Sequence, residues 1–260
     1  RWLPSKDEGT IERIDERRNL FYRQDDIRTK SFAANLDQVL ILIAAEPEFS
    51  ESQLARALIA AEAQRITPLI ALNKSDLVEP FERAWARLQP YRHMHYGVMP
   101  MSLRLSTDTD CDHLLQRLAG KTTLVLGPSG AGKSTLINLL VPGALAETNE
   151  ISQALNSGKH TTTSTTWYWV DASRQTALID SPGFQEFGLN HIEPMQLAQL
   201  MPDLKPHTEH CRFYNCSHLH EPGCGVTSMV KTAPSPHEIC ARRYKIYSDL
   251  FAELSRPQRY

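Results

Sequence analysis

Long hydrophobic runs are absent from this sequence. The longest strongly apolar stretch covers only residues 39–45, whereas a membrane-spanning helix needs roughly 18 apolar residues. The chain also lacks an opening pattern of basic, apolar and small residues of the kind that directs secretion. We therefore expect a cytoplasmic protein without membrane contacts. A monomer is also expected, although no sequence pattern determines the oligomeric state.

An excess of charge of one sign is also missing. The chain has 28 lysines and arginines against 30 aspartates and glutamates, a formal net charge of -2. This balance excludes a general attraction to nucleic acid or anionic membranes, so such contacts need a local patch. Basic residues do accumulate near the end of the chain, where a solvated helix face is the more ordinary interpretation. They are Lys231, Arg242, Arg243, Lys245, Arg256 and Arg259.

Cysteine is scarce, with 5 in 260 residues, and three of the five lie close together in the last quarter of the chain. In the cytoplasm such a group is expected to hold a metal rather than to form disulfides. Hydrophobic residues at 41% and charged residues at 22% are typical of a folded globular chain. The length predicts one large domain with a smaller companion, or two modest domains.

Short apolar strands alternate with helices through the middle of the chain. Strands are predicted at residues 39–45, 68–72, 97–102 and 122–126, and helices after Ser50 and at residues 111–118 and 133–140. This alternation predicts an α/β fold with a parallel sheet and ligand loops at the carboxyl ends of the strands. A hairpin is predicted at residues 166–170 and 175–179, and a final helix over about residues 235–254.

The two ends of the chain follow other patterns. Residues 10–14 and 19–22 are predicted to be strands joined by a charged turn, the remnant of a larger amino-terminal β domain. After Pro202 the chain becomes rich in cysteine, histidine and proline. That change of composition predicts a boundary to a different kind of domain.

Residues 127–134 match the phosphate-loop pattern G-x-x-x-x-G-K-[ST], between an apolar strand and an apolar helix. Backbone N–H groups of such a loop surround phosphate oxygens, and the helix adds the positive end of its dipole. Lys133 is predicted to reach the β and γ phosphates, Ser134 to bind Mg²⁺, and Thr135 to lie near the α phosphate. An ordinary Gly-rich turn is the alternative. The rest of the loop is Gly127, Pro128, Ser129, Gly130, Ala131 and Gly132.

A second motif, formed by Asn73, Lys74, Ser75 and Asp76, follows a buried strand and is predicted to read guanine. One carboxylate at Asp76 can accept both the N1–H and the 2-amino group of guanine, whereas adenine would leave it unpaired. Asn73 is predicted to tie this loop to the phosphate loop, and the Lys74 stem to cover the base. Ser102 is a weaker candidate for a contact to the base oxygen. Alone, the tetrapeptide could be a polar turn.

Motifs for hydrolysis follow the phosphate loop. Asp180 is predicted to hold Mg²⁺ through water, and the Gly183 N–H to sense the γ phosphate. Thr162, in a threonine-rich loop, would complete the metal shell. Phe184 stands where a water-orienting glutamine is usual, and phenylalanine cannot position water. Slow intrinsic hydrolysis is therefore expected, with His160 as the candidate substitute.

Cys211, Cys216, His218 and Cys224 have the spacing C-x4-C-x-H-x5-C. Three thiolates and one imidazole complete a tetrahedral Zn²⁺ site with no open position, as in structural sites. One structural Zn²⁺ per chain is expected. Other histidines nearby are alternatives that would demand a different loop. They are His207, His210 and His220.

The order of these motifs is unusual, because the guanine motif at Asn73 precedes the phosphate loop at Gly127. With this permuted order, the residues 158–162 (G-x-H-T-T), the D-S-P-G motif followed by Phe184 and the zinc knuckle, the chain resembles the circularly permuted GTPases of the RsgA (YjeQ) type. The resemblance implies GTP hydrolysis in late maturation of the small (30S) ribosomal subunit, with binding to that subunit and its rRNA and stimulation by it.

The resemblance also implies three domains. Residues 1–34 would be the end of an RNA-binding OB-fold and a linker, residues 35–202 the permuted GTPase domain, and residues 203–260 the zinc-knuckle and carboxyl-terminal helical domain. Two other functions stay open at this point. An ATP-driven enzyme is disfavoured by the guanine motif, whereas Phe184 is compatible with a nucleotide-gated binding module that has negligible turnover.

Overall fold

The computed structural model of the chain describes residues 2–4, 9–11, 13–26, 28–105, 108–142, 144, 165–181, 187–232 and 235–256. Two antiparallel strand pairs come first: β1 (Trp2–Pro4) with β2 (Gly9–Ile11), and β3 (Leu20–Gln24) with β4 (Thr29–Ala34). The predicted pairing of residues 10–14 with 19–22 is therefore wrong.

The β3–β4 pair forms because a tight turn and an aromatic contact join its strands. The Asp25 N–H donates to the Arg28 carbonyl at 3.0 Å, and the Arg28 N–H donates to the Asp25 carboxylate at 2.7 Å. Phe21 and Phe32 are buried and pack with their ring centroids 5.9 Å apart. Only Phe32 is buried in β4, so this strand shows no clear apolar alternation in the sequence.

The central sheet has six strands in the spatial order β7-β6-β5-β8-β10-β9, and all neighbours are parallel except β9 and β10. This arrangement confirms the predicted α/β fold and the predicted hairpin. The strands are β5 (Gln38–Ala44), β6 (Thr67–Asn73), β7 (Gly97–Pro100), β8 (Thr122–Leu126), β9 (Thr166–Trp169) and β10 (Ala177–Asp180).

Helices connect these strands on both faces of the sheet. Ser50 caps the first of them, because its hydroxyl accepts the N–H of Gln53 at 3.3 Å, as its position in the sequence predicts. The last helix of the series has the predicted bounds. The helices are α1 (Glu51–Ala63), α2 (Val78–Arg87), α3 (Gln89–His93), α4 (Asp108–Leu118) and α5 (Lys133–Leu140).

Strand β5 is buried along its whole length, since both faces of the sheet carry a hydrophobic core. Val39 and Ile41 face one cluster, which also contains α1. Leu40 and Leu42 face the other cluster, which contains α4 and α5. The carboxyl ends of β6, β8 and β10 lie at one edge of this sheet, so the motifs that follow them are brought together there.

The remainder of the described chain forms a 3-10 helix (Pro194–Leu200) and smaller elements around the cysteine-rich stretch. These are α6 (Lys205–Thr208), α7 (Gly225–Ser228), β11 (Val230–Lys231), β12 (Ile239–Cys240) and α8 (Ala241–Leu254). The final helix begins at Ala241 and not near residue 235 as predicted, because Ile239 and Cys240 pair with β11 in a parallel ladder.

One member of the basic group near the end of the chain is buried. Arg243 on α8 is 2% exposed, and its guanidinium donates to both carboxylate oxygens of Asp203, at 2.9 and 3.1 Å. It also lies over the ring of Tyr91 on α3, 5.0 Å from the centroid. Arg243 is therefore part neither of a nucleic-acid-binding patch nor of a solvent-exposed helix face.

In the described part of the chain, no helix is both long enough and apolar enough to cross a membrane.

Candidate functional site

The loop between β8 and α5 is crowded against its neighbours, which explains two of its glycines. A Cβ on Gly127 would lie 2.3 Å from the carbonyl oxygen of Leu42, the third residue from the end of β5. Gly132 has φ +102°, and a Cβ there would lie 2.6 Å from the side-chain nitrogen of Asn73. Any larger residue at either position would displace this loop, so the backbone conformation depends on glycine.

Lys133 begins α5 and points its ammonium group back over the loop, where Nζ donates to the carbonyl of Gly127 at 2.9 Å. Burial lowers the pKa of Lys133 from its ordinary value, and the charge of Asp180 opposes this shift. Ser134 and Thr135 occupy the first turn of the same helix. A cationic group and a helix amino terminus thus share one loop, the arrangement that binds phosphate groups.

Asp180, the last residue of β10, is 4% exposed. Among the described residues its Oδ1 atom has no hydrogen-bond partner. Burial raises the pKa of the Asp180 carboxyl, and the charge of Lys133 offsets part of that effect. A buried carboxylate oxygen without a partner fits a group that binds Mg²⁺ directly or through water.

The side chain of Asn73 connects three loops at this edge of the sheet. Its amide nitrogen donates to the carbonyl of Ala131 in the phosphate loop at 2.9 Å. Its amide oxygen accepts the N–H of Leu103, after β7, at 3.1 Å, and the N–H of Lys74 at 2.7 Å. The predicted tie between the guanine motif and the phosphate loop is present in the structure.

Asp76 is held by a hydroxyl from the neighbouring strand end. Ser102 Oγ donates to Asp76 Oδ1 at 2.7 Å, and the Ser75 N–H donates to the Met101 carbonyl at 3.1 Å. Ser102 therefore contacts the Asp76 carboxylate that is proposed to bind guanine. The sequence does not predict this contact, because it depends on the pairing of β6 with β7 in the sheet. Lys74 has φ +67° at the turn of this motif.

The cysteine-rich stretch brings its four expected residues together. The ligand atoms of Cys211, Cys216, His218 and Cys224 all lie within 4.8 Å of one another. Nδ1 of His218 is 3.3 Å from the sulfur of Cys211 and 3.5 Å from that of Cys224. Three thiol groups and one imidazole nitrogen fit a tetrahedral metal ion of the zinc type.

No other metal-binding group is found among the described residues, so the alternative histidines do not join this one. The loop is supported by Glu221, which sequence reasoning did not single out. Its carboxylate accepts the N–H of Ser217 at 2.8 Å and the Ser217 hydroxyl at 2.6 Å.

Several predicted residues lie outside the part of the chain that the structure describes. They are His160, Thr162, Gly183 and Phe184.

The fold and this site define a class of protein. The phosphate loop is joined through Asn73 to the tetrapeptide that is predicted to read guanine, and this tetrapeptide comes earlier in the chain, which is the motif order of a circularly permuted GTPase. A family model described as RsgA GTPase matches residues 14–190, which is more than half of the chain. The chain therefore belongs to the RsgA GTPase family, and membership implies GTP, GDP and Mg²⁺ as its nucleotides and ion.

Similar proteins support the same assignment. The chain is 75% identical over 256 residues to a protein named small ribosomal subunit biogenesis GTPase RsgA from Variovorax paradoxus (strain S110), covering 98% of this chain and 80% of the relative. It is 50% identical over 257 residues to the protein of that name from Paraburkholderia xenovorans (strain LB400), with the same coverage.

Solved structures agree with the fold. YjeQ from Thermotoga maritima matches with a TM-score of 0.75 at 27% identity, over 98% of this chain and 83% of that structure. YloQ, described as a circularly permuted GTPase, matches with a TM-score of 0.70 at 27% identity, over 100% of this chain and 80% of that structure.

Proposed function

We propose that this protein hydrolyses GTP to GDP and phosphate in late maturation of the small (30S) ribosomal subunit, and that the subunit stimulates it. GTP binding is supported above all by the hydrogen bond from the Asn73 side chain to the Ala131 carbonyl, which joins residues 73–76 to the phosphate loop. The ribosomal part is supported by the names of relatives at 75% and 50% identity.

Each residue of the nucleotide site has a role that its position supports. The backbone of residues 127–132 surrounds the phosphates. The Lys133 ammonium gives up its hydrogen bond to the Gly127 carbonyl and contacts the β and γ phosphates instead. Negative phosphate oxygens would offset the burial of the Lys133 ammonium, whose pKa is lowered in the present conformation. The Ser134 hydroxyl would bind Mg²⁺, and Thr135 would lie near the α phosphate. Asp76, held by Ser102, accepts both donors of guanine.

Hydrolysis depends on groups around the γ phosphate. Asp180 and Thr162 would hold Mg²⁺, and the bound ion would neutralise phosphate charge. The Gly183 N–H senses the γ phosphate, and His160 orients the attacking water in place of the glutamine that Phe184 replaces. The glutamine is absent, and His160 would take its role only when the small subunit positions it, so we expect the isolated protein to bind GTP well and to hydrolyse it slowly.

The cysteine-rich stretch holds one structural Zn²⁺ through Cys211, Cys216, His218 and Cys224. We infer the same three domains as above, with residues 1–34 from an OB-fold, residues 35–202 as the GTPase domain and residues 203–260 as the zinc-knuckle domain. The protein acts as a cytoplasmic monomer that contacts the rRNA of the small subunit. Support for the last boundary comes from the change of architecture after the 3-10 helix Pro194–Leu200.

The test is phosphate release from GTP, measured with and without purified small ribosomal subunits. Large subunits and ATP serve as matched controls. We expect slow release from the protein alone and a strong increase with small subunits and GTP only. Nucleotide-dependent binding to the subunit without any increase in turnover would favour the alternative, a nucleotide-gated RNA-binding module.

A further inference from the structure

A short loop of the metal-binding stretch presents aromatic side chains to solvent. Residues 212–215, called the knuckle loop below, run between two of the candidate metal ligands, and all four residues are exposed. Tyr214 is fully exposed and Phe213 is 40% exposed. Two adjacent aromatic side chains are therefore accessible to a partner, and aromatic residues are enriched at binding surfaces.

The knuckle loop is held firmly at its base. The Arg212 N–H donates to the Gly223 carbonyl at 3.0 Å, before the exposed pair. After the loop, Ser217 donates to Glu221, and the Tyr247 hydroxyl on α8 donates to the Ser217 carbonyl at 2.7 Å. With both ends fixed, a partner would not have to bear the entropy cost of ordering this loop, and that favours binding.

The chemistry of the loop is cationic, aromatic and amidic. The Arg212 guanidinium lies 5.5 Å from the ring centroid of Phe213, and Asn215 follows the two aromatic residues. No acidic residue lies within the loop. The nearby Glu221 carboxylate accepts hydrogen bonds from the backbone N–H groups of Leu219 and His220, each at 3.3 Å, as well as from Ser217. Its charge is therefore turned toward the protein's own backbone.

This combination suits an unpaired nucleotide better than an apolar protein surface. Aromatic rings stack on exposed bases, an arginine contacts the phosphate next to them, and an amide can pair with a base edge. A regular RNA duplex cannot use Tyr214 in this way, because its bases are already stacked inside the helix.

We propose that the knuckle loop docks an unpaired segment of RNA, with Tyr214 stacking on a base and Arg212 contacting a phosphate. The inference rests on the proposed function, since the small ribosomal subunit is the source of that RNA. It adds a base-stacking site on the metal-binding stretch, separate from the nucleotide site at the sheet edge.

Affinity for purified small subunits, measured by co-sedimentation with a non-hydrolysable GTP analogue, tests the site. Tyr214→Ala should weaken binding about tenfold, the size of one base–aromatic stack. Tyr214→Trp should keep the affinity, since it keeps a stacking ring. Arg212→Ala should weaken binding and reduce its salt dependence by about one phosphate contact. Met195→Ala, which removes another side chain that is 51% exposed, is the control.

A second measurement identifies the partner directly. Tyr214 is replaced by a photoreactive benzoyl-phenylalanine, and the complex with small subunits is irradiated. Crosslinks to RNA support the proposal, whereas crosslinks only to a ribosomal protein overturn it. Metal content and GTP affinity of each variant show that the fold is intact.

The outcomes separate the two proposals. If the unmodified protein does not bind small subunits, the proposed function fails and the docking site fails with it. If the unmodified protein binds and Tyr214→Ala binds equally well, only the docking site is refuted.

Discussion

The hydroxyl of Ser102 donates a hydrogen bond of 2.7 Å to the carboxylate of Asp76. The two residues follow adjacent parallel strands, β7 and β6, so the sheet itself sets their separation. Ser102 is 6% exposed, and its hydroxyl also accepts the N–H of Leu105 at 3.3 Å. Asp76 is thus oriented before any nucleotide arrives.

Removing this hydroxyl should make the Asp76 carboxylate, which is proposed to read guanine, less well ordered. Ser102→Ala is expected to lower GTP affinity about tenfold, since hydrogen bonds to charged groups contribute about 1.5–3 kcal/mol. Competition against a fluorescent guanine nucleotide measures the effect. Ser52→Ala, which removes an exposed hydroxyl on α1, is the matched control. Equal GTP affinities for the two variants would show that Asp76 needs no support from Ser102.

The carboxylate itself should determine base selectivity. Asp76→Asn is expected to lower GTP affinity by up to roughly 10⁴-fold, because an amide cannot accept both donors of guanine. The same variant should favour xanthosine triphosphate, whose 2-oxo group can accept a hydrogen bond from the amide. Affinities for both nucleotides are compared with those of the unmodified protein. Unchanged GTP affinity would refute the proposal that Asp76 binds guanine.

Local signals were sufficient for the elements around the nucleotide site. The apolar run of β8, the glycines of the loop and the periodicity of α5 are contiguous, and their bounds were predicted from the sequence. The metal ligands were also predictable, because spacing alone brings four such residues together. What the sequence could not show was the partner of Asp76, since residues 76 and 102 meet only when β6 and β7 pair.

The errors share a physical origin in non-local contacts. The sequence pattern places β12 at the start of the last helix, because the pairing of β12 with β11, nine residues earlier, is made by the backbone. Arginine is mostly exposed in proteins, so the sequence predicts a surface position for Arg243, yet the carboxylate of Asp203 stabilises it inside the protein. His160, Thr162 and Gly183 lie outside the described residues, so their roles stay predictions.

The buried pair of Arg243 and Asp203 should be important for stability. Their side chains are 2% and 10% exposed. Arg243→Leu leaves the Asp203 carboxylate buried without a partner, and we expect a loss of about 3–5 kcal/mol in the free energy of unfolding. Replacing both residues by leucine should recover much of that loss, because no buried charge remains.

Urea unfolding measures these changes for the Arg243 series. Lys245→Ala is the control, since it breaks an ion pair to Asp249 whose lysine is 75% exposed. Such surface pairs contribute about 0–1 kcal/mol. If Arg243→Leu lowers the free energy of unfolding no more than Lys245→Ala does, the ion pair between Arg243 and Asp203 does not stabilise the fold.

Purified protein should contain one Zn²⁺ per chain. Cys216→Ser is expected to reduce the metal content and to destabilise the carboxyl-terminal region, because metal binding and folding are coupled in such sites. Elemental analysis gives the stoichiometry. Cys111→Ser, a cysteine outside the metal-binding group, should retain the metal. A stoichiometry near zero in a reduced and well-folded sample would refute the zinc assignment.

The last prediction concerns His160 and the acceleration of hydrolysis by the small subunit. Phe184 occupies the position where a glutamine usually orients the attacking water, and its side chain can neither donate nor accept a hydrogen bond. Phosphate and Mg²⁺ contacts do not depend on that position, so nucleotide binding should be strong while chemistry is slow. The imidazole of His160 would supply the missing contact when the subunit positions it, as partners position switch loops in other GTPases.

His160→Ala should therefore leave GTP affinity nearly unchanged and lower subunit-stimulated turnover by about 100-fold, the lower end of general acid–base effects. This separation identifies a group that acts only in the transition state. His113→Ala, which removes an exposed histidine on α4, controls for nonspecific effects. Turnover with saturating subunits is compared with turnover of the protein alone. A variant that keeps its full stimulated rate would show that another group positions the water, and Phe184 would then need a different compensation.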